Sequence, residues 1–236
     1  MTKKNKITWE YNEFAQVGKD YGKAEEVAEF ESRHSDFRDL KGESLRVLDT
    51  LGVGEHDILI DFGCGTGIFA ILAAERCRQA HGVDVSKAML DYARIKARKA
   101  GAGNIDFHHG GFLTFEYDGP PADFITSTLA LHHLPDFWKR IALERMHRML
   151  KPGGRLYLND VVIVPEGAFA NIEALLARLG EAGGREMRQD AEDHFRLEFS
   201  TYDWIMAGLL TRAGFTIDNS EIRDGVIATY YCTRQP

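Results

Sequence analysis

Asp57 to Gly67 reads D-I-L-I-D-F-G-C-G-T-G, and this stretch decides the fold. Ile58, Leu59 and Ile60 are consecutive apolar residues, as expected of a central strand buried on both faces. Asp61 follows, and then Gly63, Gly65 and Gly67 alternate with Cys64 and Thr66. Ile68 to Cys77 is a helix-forming run rich in Ala and Leu. Strand, glycine turn and helix open a nucleotide-type βαβ unit, in which the glycines leave no Cβ between main chain and ligand. The helix then begins with free N–H groups aimed at that ligand.

The glycines alone leave the ligand open. Read from Gly65, the segment G-T-G-I-F-A also fits the dinucleotide pattern G-x-G-x-x-A. The second predicted strand, Ala80 to Val85, carries Asp84, about twenty residues beyond the turn, where a carboxylate accepts hydrogen bonds from a ribose diol. Such an acid serves any adenosine cofactor.

The block D-F-G-C-G-T-G resembles the first motif of the class I S-adenosylmethionine (SAM) dependent methyltransferases, an acidic residue followed by G-x-G-x-G. The resemblance continues in order through V-D-V-S at Val83–Ser86, A-L-H-H-L-P-D at Ala130–Asp136 and L-K-P-G-G at Leu150–Gly154. It is strong over most of 50–160 and weak in the flanks, and points toward ubiquinone- and menaquinone-biosynthesis methyltransferases. It implies an α/β, Rossmann-like fold: a seven-stranded sheet of order 3-2-1-4-5-7-6 with its last strand antiparallel, helices on both faces and a helical lid. It implies SAM as cofactor, leaving S-adenosylhomocysteine as product. It places that cofactor against Asp61, Gly63, Cys64, Gly65, Thr66, Gly67, Asp84, Val85, Met89, Gly111, Phe112 and Ser127, with Tyr21 from a segment before the first strand. At Gly111 the chain departs from the family, which usually has an acid or polar residue there to hold the adenine amine. The backbone of Gly111 and Phe112, or the face of Phe112, is the expected substitute.

Composition narrows the function. The hydrophobic share of 44% and charged share of 28% are ordinary for a globular protein, and the length suits one domain. A net charge of -7 argues against a broad phosphate-binding surface, so no nucleic-acid partner is expected. Cys64, Cys77 and Cys232 lack metal-type spacing and suit a reducing cytoplasm. No apolar run is long enough to span a membrane, and a cytoplasmic monomer or homodimer is expected. RNA or protein methylation and a non-catalytic SAM sensor are the rival functions to methylation of a small molecule.

Further strands are predicted at Asn104–His109, Asp123–Leu129, Arg155–Val164, Phe215–Ile222 and Val226–Thr233. Helices are predicted at Glu25–Phe37, Glu43–Leu51, Lys87–Ala100 behind Ser86, Asp136–Leu150, and Tyr202–Arg212 behind a capping-box-like Ser200. Residues 1–45, rich in aromatics such as Tyr11 and Tyr21, read as a cap and 46–236 as the catalytic domain. Within it, 165–200 reads as a substrate lid: Gly180 and Gly183-Gly184 separate a helical stretch, Ala168–Leu179, from a charged one, Glu186–Glu198.

Four polar residues are the candidate catalytic set. Asp160 interrupts an apolar strand at its carboxyl end, where a charge needs a partner or a task. His132 and His133 are base candidates; alternation along a strand end would let only one face the pocket, and the family favours His133. His194 and Glu198, four apart, share a face if 186–198 is helical, and offer ligands or a base. The set His133, Asp160, His194 and Glu198 is expected to line one polar pocket beside the transferred methyl. No metal site is expected, and His108-His109 should lie across the sheet from His133.

Overall fold

The computed structural model describes residues 8–15, 17, 27 and 39–235. Tyr21 and the predicted helix 25–37 lie outside the described residues, apart from Val27. The first full helix, α1 (Leu40–Leu51), starts earlier than predicted, because the Asp39 carboxylate accepts from Gly42 N, and it stops at left-handed Gly52. It crosses the expected boundary between cap and catalytic domain.

The core is one sheet. In chain order the elements are β1 (Ile58–Phe62), α2 (Ile68–Ala74), β2 (Gln79–Asp84), α3 (Lys87–Ala100), β3 (Ile105–His109) and β4 (Ala122–Thr128). Then follow a 3-10 turn (Leu131–His133), α4 (Asp136–Met149), β5 (Leu150–Ile163), α5 (Ala168–Leu197), β6 (Thr201–Tyr202), α6 (Asp203–Arg212), β7 (Phe215–Arg223) and β8 (Ile227–Arg234). The strand order is β3-β2-β1-β4-β5-β8-β7, with β6 pairing separately on β5. Without the two-residue β6, this is the predicted 3-2-1-4-5-7-6. β8 runs antiparallel to both neighbours. β1 is buried at every residue because it lies mid-sheet between two apolar layers. One layer collects Ile58, Ile60, Phe62, Ile125, Leu143 and Leu156; the other collects Leu48, Leu59, Leu72, Ala73, Phe124 and Tyr157.

The structure corrects four local expectations. β5 begins at Leu150, so Pro152-Gly153-Gly154 lies within the strand, and the irregular stretch is absorbed by a register shift against β4 between Ala122 and Phe124. β4 ends at Thr128; Leu129 takes a positive φ of 51° and the histidines fall in the 3-10 turn. Strand alternation therefore does not govern His132 and His133. Ser200 does not cap the following helix: its hydroxyl bonds His194 Nε2, and Thr201-Tyr202 pairs with β5 instead. Residues 168–197 form helix on both sides of a break at Gly184 (φ 71°, ψ -165°), while Gly180 stays helical. The two arms fold against each other, with Arg188 bonding Glu192 on its own arm and reaching Glu173 on the other.

Candidate active site

The glycine turn sits at the carboxyl end of β1, at the point where the sheet order reverses. Gly63, Gly65 and Gly67 all have positive φ (69°, 52° and 78°). At Gly63 the need is also steric: an added Cβ would lie 2.3 Å from Ala130 Cβ. Gly63 and Cys64 N both donate to Val83 O, at 2.8 and 3.1 Å. The Cys64 side chain is buried.

Asp84 closes the crevice from β2. Its Oδ2 accepts from Gly65 N (2.8 Å) and its Oδ1 from Ser86 N (2.8 Å), fixing the turn against the start of α3. Ser86 caps that helix by accepting from Met89 N at 3.1 Å. Asp61 is buried at the end of β1 and accepts from Thr126 Oγ1 at 2.8 Å. Burial pushes the Asp61 carboxyl up to about 7, the Thr126 bond opposes this, and nearby Asp84 adds to it. Two acids beside one glycine turn favour a cationic ligand. Ser127, the register partner of Phe62, is fully buried, and its Oγ has no hydrogen-bond partner among the described residues. A positive-φ cradle, two acids and an orphaned hydroxyl fit SAM, which carries an ammonium, a sulfonium and a ribose diol.

The Gly111 departure has a structural answer that the sequence did not suggest. Buried Glu13, from the N-terminal segment, occupies the space: a Cβ on Gly111 would lie 2.5 Å from Glu13 Oε2. Glu13 accepts from Leu113 N (3.0 Å), Thr114 N (2.8 Å) and Thr114 Oγ1 (2.6 Å). No local pattern signals a contact across a hundred residues of chain. Phe112 is buried and stacked on Phe62 (centroids 5.3 Å, 14° between planes), so its ring belongs to the core. Val85 lies alongside, 2.8 Å from that same added Cβ, and its carbonyl accepts from His109 Nε2 at 3.0 Å. His108 turns instead to His81, with their ring nitrogens 3.1 Å apart.

Beyond the carboxyl ends of β4 and β5 lies a second polar cluster. Asp160 is wholly buried and accepts from His132 N (3.0 Å), His132 Nδ1 (2.5 Å) and Val161 N (2.7 Å). Its hydrogen-bond partner in the cluster is His132. Glu198, at the C-terminal end of α5, lies 3.2 Å from His132 Nε2 and bonds His194 Nδ1; His133 Nδ1 lies 4.0 Å from its other oxygen. Burial pulls the His132 imidazole down, but Asp160 and Glu198 outweigh it and hold the group at about 9. Burial and then cationic His132 push His133 below the ordinary imidazole value. Burial raises the carboxyls of Asp160 and Glu198, but the imidazoles overcome it and hold both below the usual range.

The segment that follows α5 is pinned beside this cluster. Phe199 N donates to His132 O (2.9 Å), and buried Lys139 bonds both Phe199 O and Asp136 Oδ1. Asp136 Oδ2 in turn accepts from Thr201 Oγ1 at 2.9 Å. Tyr11 OH donates to His133 O at 3.1 Å, with its ring edge-on to Phe199 and near Trp138. No helix among the described residues is long and apolar enough to cross a membrane.

Known proteins resemble this chain. Residues 59–154 match a family model described as a methyltransferase domain. An uncharacterized methyltransferase of Geobacillus kaustophilus is 32% identical over 180 residues, covering 76% of this chain and 79% of that protein. A demethylmenaquinone methyltransferase of Staphylococcus epidermidis is 27% identical over 210 residues, covering 86% and 83%. Among solved structures, a SAM-dependent methyltransferase from Aquifex aeolicus superposes with a TM-score of 0.62 at 17% identity, over 89% of this chain and 98% of that one.

Proposed function

Since the chain belongs to the class I SAM-dependent methyltransferases, we propose that it transfers the SAM methyl group to a small-molecule acceptor held between the glycine turn and the His132–Glu198 cluster. The observation that carries this reading is the polar cluster itself. It gathers residues from the 3-10 turn, β5 and α5 next to the cofactor crevice, where a nucleophile would meet the sulfonium methyl. Holding that nucleophile in line supplies a large part of the rate, since orientation is worth roughly 7–11 kcal/mol. SAM, when bound, supplies the electrophilic methyl. The acidic balance and the demethylmenaquinone relative favour a small organic acceptor over nucleic acid.

His133 is the proposed general base. Its side chain is 39% exposed while His132 is buried beneath it, and Glu198 lies behind its ring. Asp160, His194 and Glu198 orient the cluster, and Tyr11 brackets the turn from the N-terminal side. S-adenosylhomocysteine formation is to be followed with a protein-free, low-molecular-weight cell extract. His133→Ala should lower turnover by about 10²–10⁴-fold with nearly unchanged SAM affinity. A parallel loss of affinity and stability would instead assign His133 a bracing role.

Cofactor binding tests the site itself. Calorimetry should show SAM and S-adenosylhomocysteine binding and NAD not binding. Asp84→Ala should weaken SAM by roughly 1.5–3 kcal/mol, the scale of charge-assisted hydrogen bonds. NAD binding without SAM binding would overturn the reading, and unchanged SAM affinity would remove Asp84 from the contact.

A further inference from the structure

The Glu198 carboxylate presents one oxygen to two imidazole nitrogens. His132 Nε2 lies 3.2 Å from Oε2 and His194 Nδ1 bonds the same atom. A suitable donor atom from each of His132, His194 and Glu198 lies within 4.8 Å of the others. Ligands at zinc distances of roughly 2.0–2.2 Å stand about 3.4 Å apart around a tetrahedron, so small side-chain adjustments close the set.

The outer contacts of the two imidazoles favour this use. The buried Asp160 carboxylate holds His132 Nδ1–H at 2.5 Å, which leaves Nε2 as the nitrogen turned toward Glu198. Ser200 Oγ lies 2.8 Å from His194 Nε2 and can take its N–H, leaving Nδ1 turned inward. Metal-ligating histidines show this pattern: one nitrogen on the ion and the other N–H held by an oxygen. Without metal, a proton on His132 Nε2 bridges to Glu198 Oε2 at 3.2 Å; a divalent ion would displace that proton and take both atoms as ligands. The cluster is also shielded, with His132 and Glu198 side chains each only 7% exposed.

We propose that His132 Nε2, His194 Nδ1 and Glu198 Oε2 bind a divalent late first-row metal, zinc foremost. Two imidazoles and one carboxylate match zinc in ligand type and leave its fourth tetrahedral position open to water or to an oxygen or nitrogen donor. This reverses the sequence-based expectation of no metal. His194 and Glu198 were visible as a helical pair, but the third ligand comes from a distant turn. The site goes beyond the methyl-transfer reading, and its test needs neither SAM nor acceptor.

Full-length protein, stripped with a chelator and dialysed, is titrated with Co²⁺ and then with competing Zn²⁺. One equivalent of cobalt should produce the intense visible bands of a four- or five-coordinate ion, and zinc should abolish them. His194→Gln and Glu198→Gln should each weaken zinc by more than the roughly 10–100-fold that loss of an outer-shell partner costs. Circular dichroism reports whether these variants fold, and the wild-type spectrum is decisive even where one does not. A cluster held together by protons alone would give no such bands, and that result overturns the site. Stoichiometric uptake undiminished in both folded variants overturns it as well, by placing the ion elsewhere.

Discussion

Asp160→Ala should destabilise the protein by about 3–5 kcal/mol, the scale of breaking a buried ion pair by removing one partner. The carboxylate is wholly buried and satisfies three donors at once: His132 N, His132 Nδ1 and Val161 N. Removing it strands all three in the interior and leaves His132 without its nearer counter-charge. Asp160→Asn keeps the volume and one acceptor oxygen, so it should cost less than Asp160→Ala. Urea denaturation of the three proteins provides the comparison. A loss below about 1 kcal/mol for Asp160→Ala would mean that water reaches the site and replaces the carboxylate. Because β5 carries Asp160 while the 3-10 turn carries His132, the loss should also loosen the turn to which Phe199 and Tyr11 attach.

The difference between what could and could not be read in the sequence follows from interaction range. The apolar run Ile58–Ile60 and the three glycines are local signals, and they located β1 and its turn. The four motifs ordered the strands around it. Asp160 was conspicuous because a charge in an apolar strand is unusual, but no local signal named its partner. Strand alternation would separate His132 from His133, whereas Leu129 at φ 51° ends β4 and the 3-10 turn carries both rings toward Glu198. β5 runs through Pro152-Gly153-Gly154 because pairing with β4 resumes after a register shift. Local propensity at a Pro-Gly-Gly sequence favours a turn, and tertiary pairing overrides it. Glu13 could not be found at all, since its partners Leu113 and Thr114 are distant in the chain and carry no acid-binding motif.

Ionising Asp61 should cost the folded protein stability as pH rises from about 4 to 7. In the unfolded chain this carboxyl ionises near 3.8; in the folded protein burial pushes it up to about 7. Between those values the folded state holds more protons than the unfolded state, so Asp61 makes stability fall as pH rises. A shift of about three units corresponds to roughly 4 kcal/mol, present in full above pH 7 and absent below pH 4. Asp84, also raised by burial, adds to the same trend. His81, His108 and His133 are lowered and act in the opposite direction over an overlapping range. The informative quantity is therefore the difference between wild type and Asp61→Asn. The amide retains an acceptor for Thr126 Oγ1, placed 2.8 Å away in the wild type, but cannot ionise. Chemical denaturation should show the variant gaining on wild type by roughly 4 kcal/mol from pH 4 to 7. Saturating SAM should narrow that gain, because the ligand's positive charge stabilises ionised Asp61 and is lost on the amide. Parallel stability curves for the two proteins across this range would show that Asp61 is already ionised near pH 4, and would overturn burial as a force that raises this carboxyl.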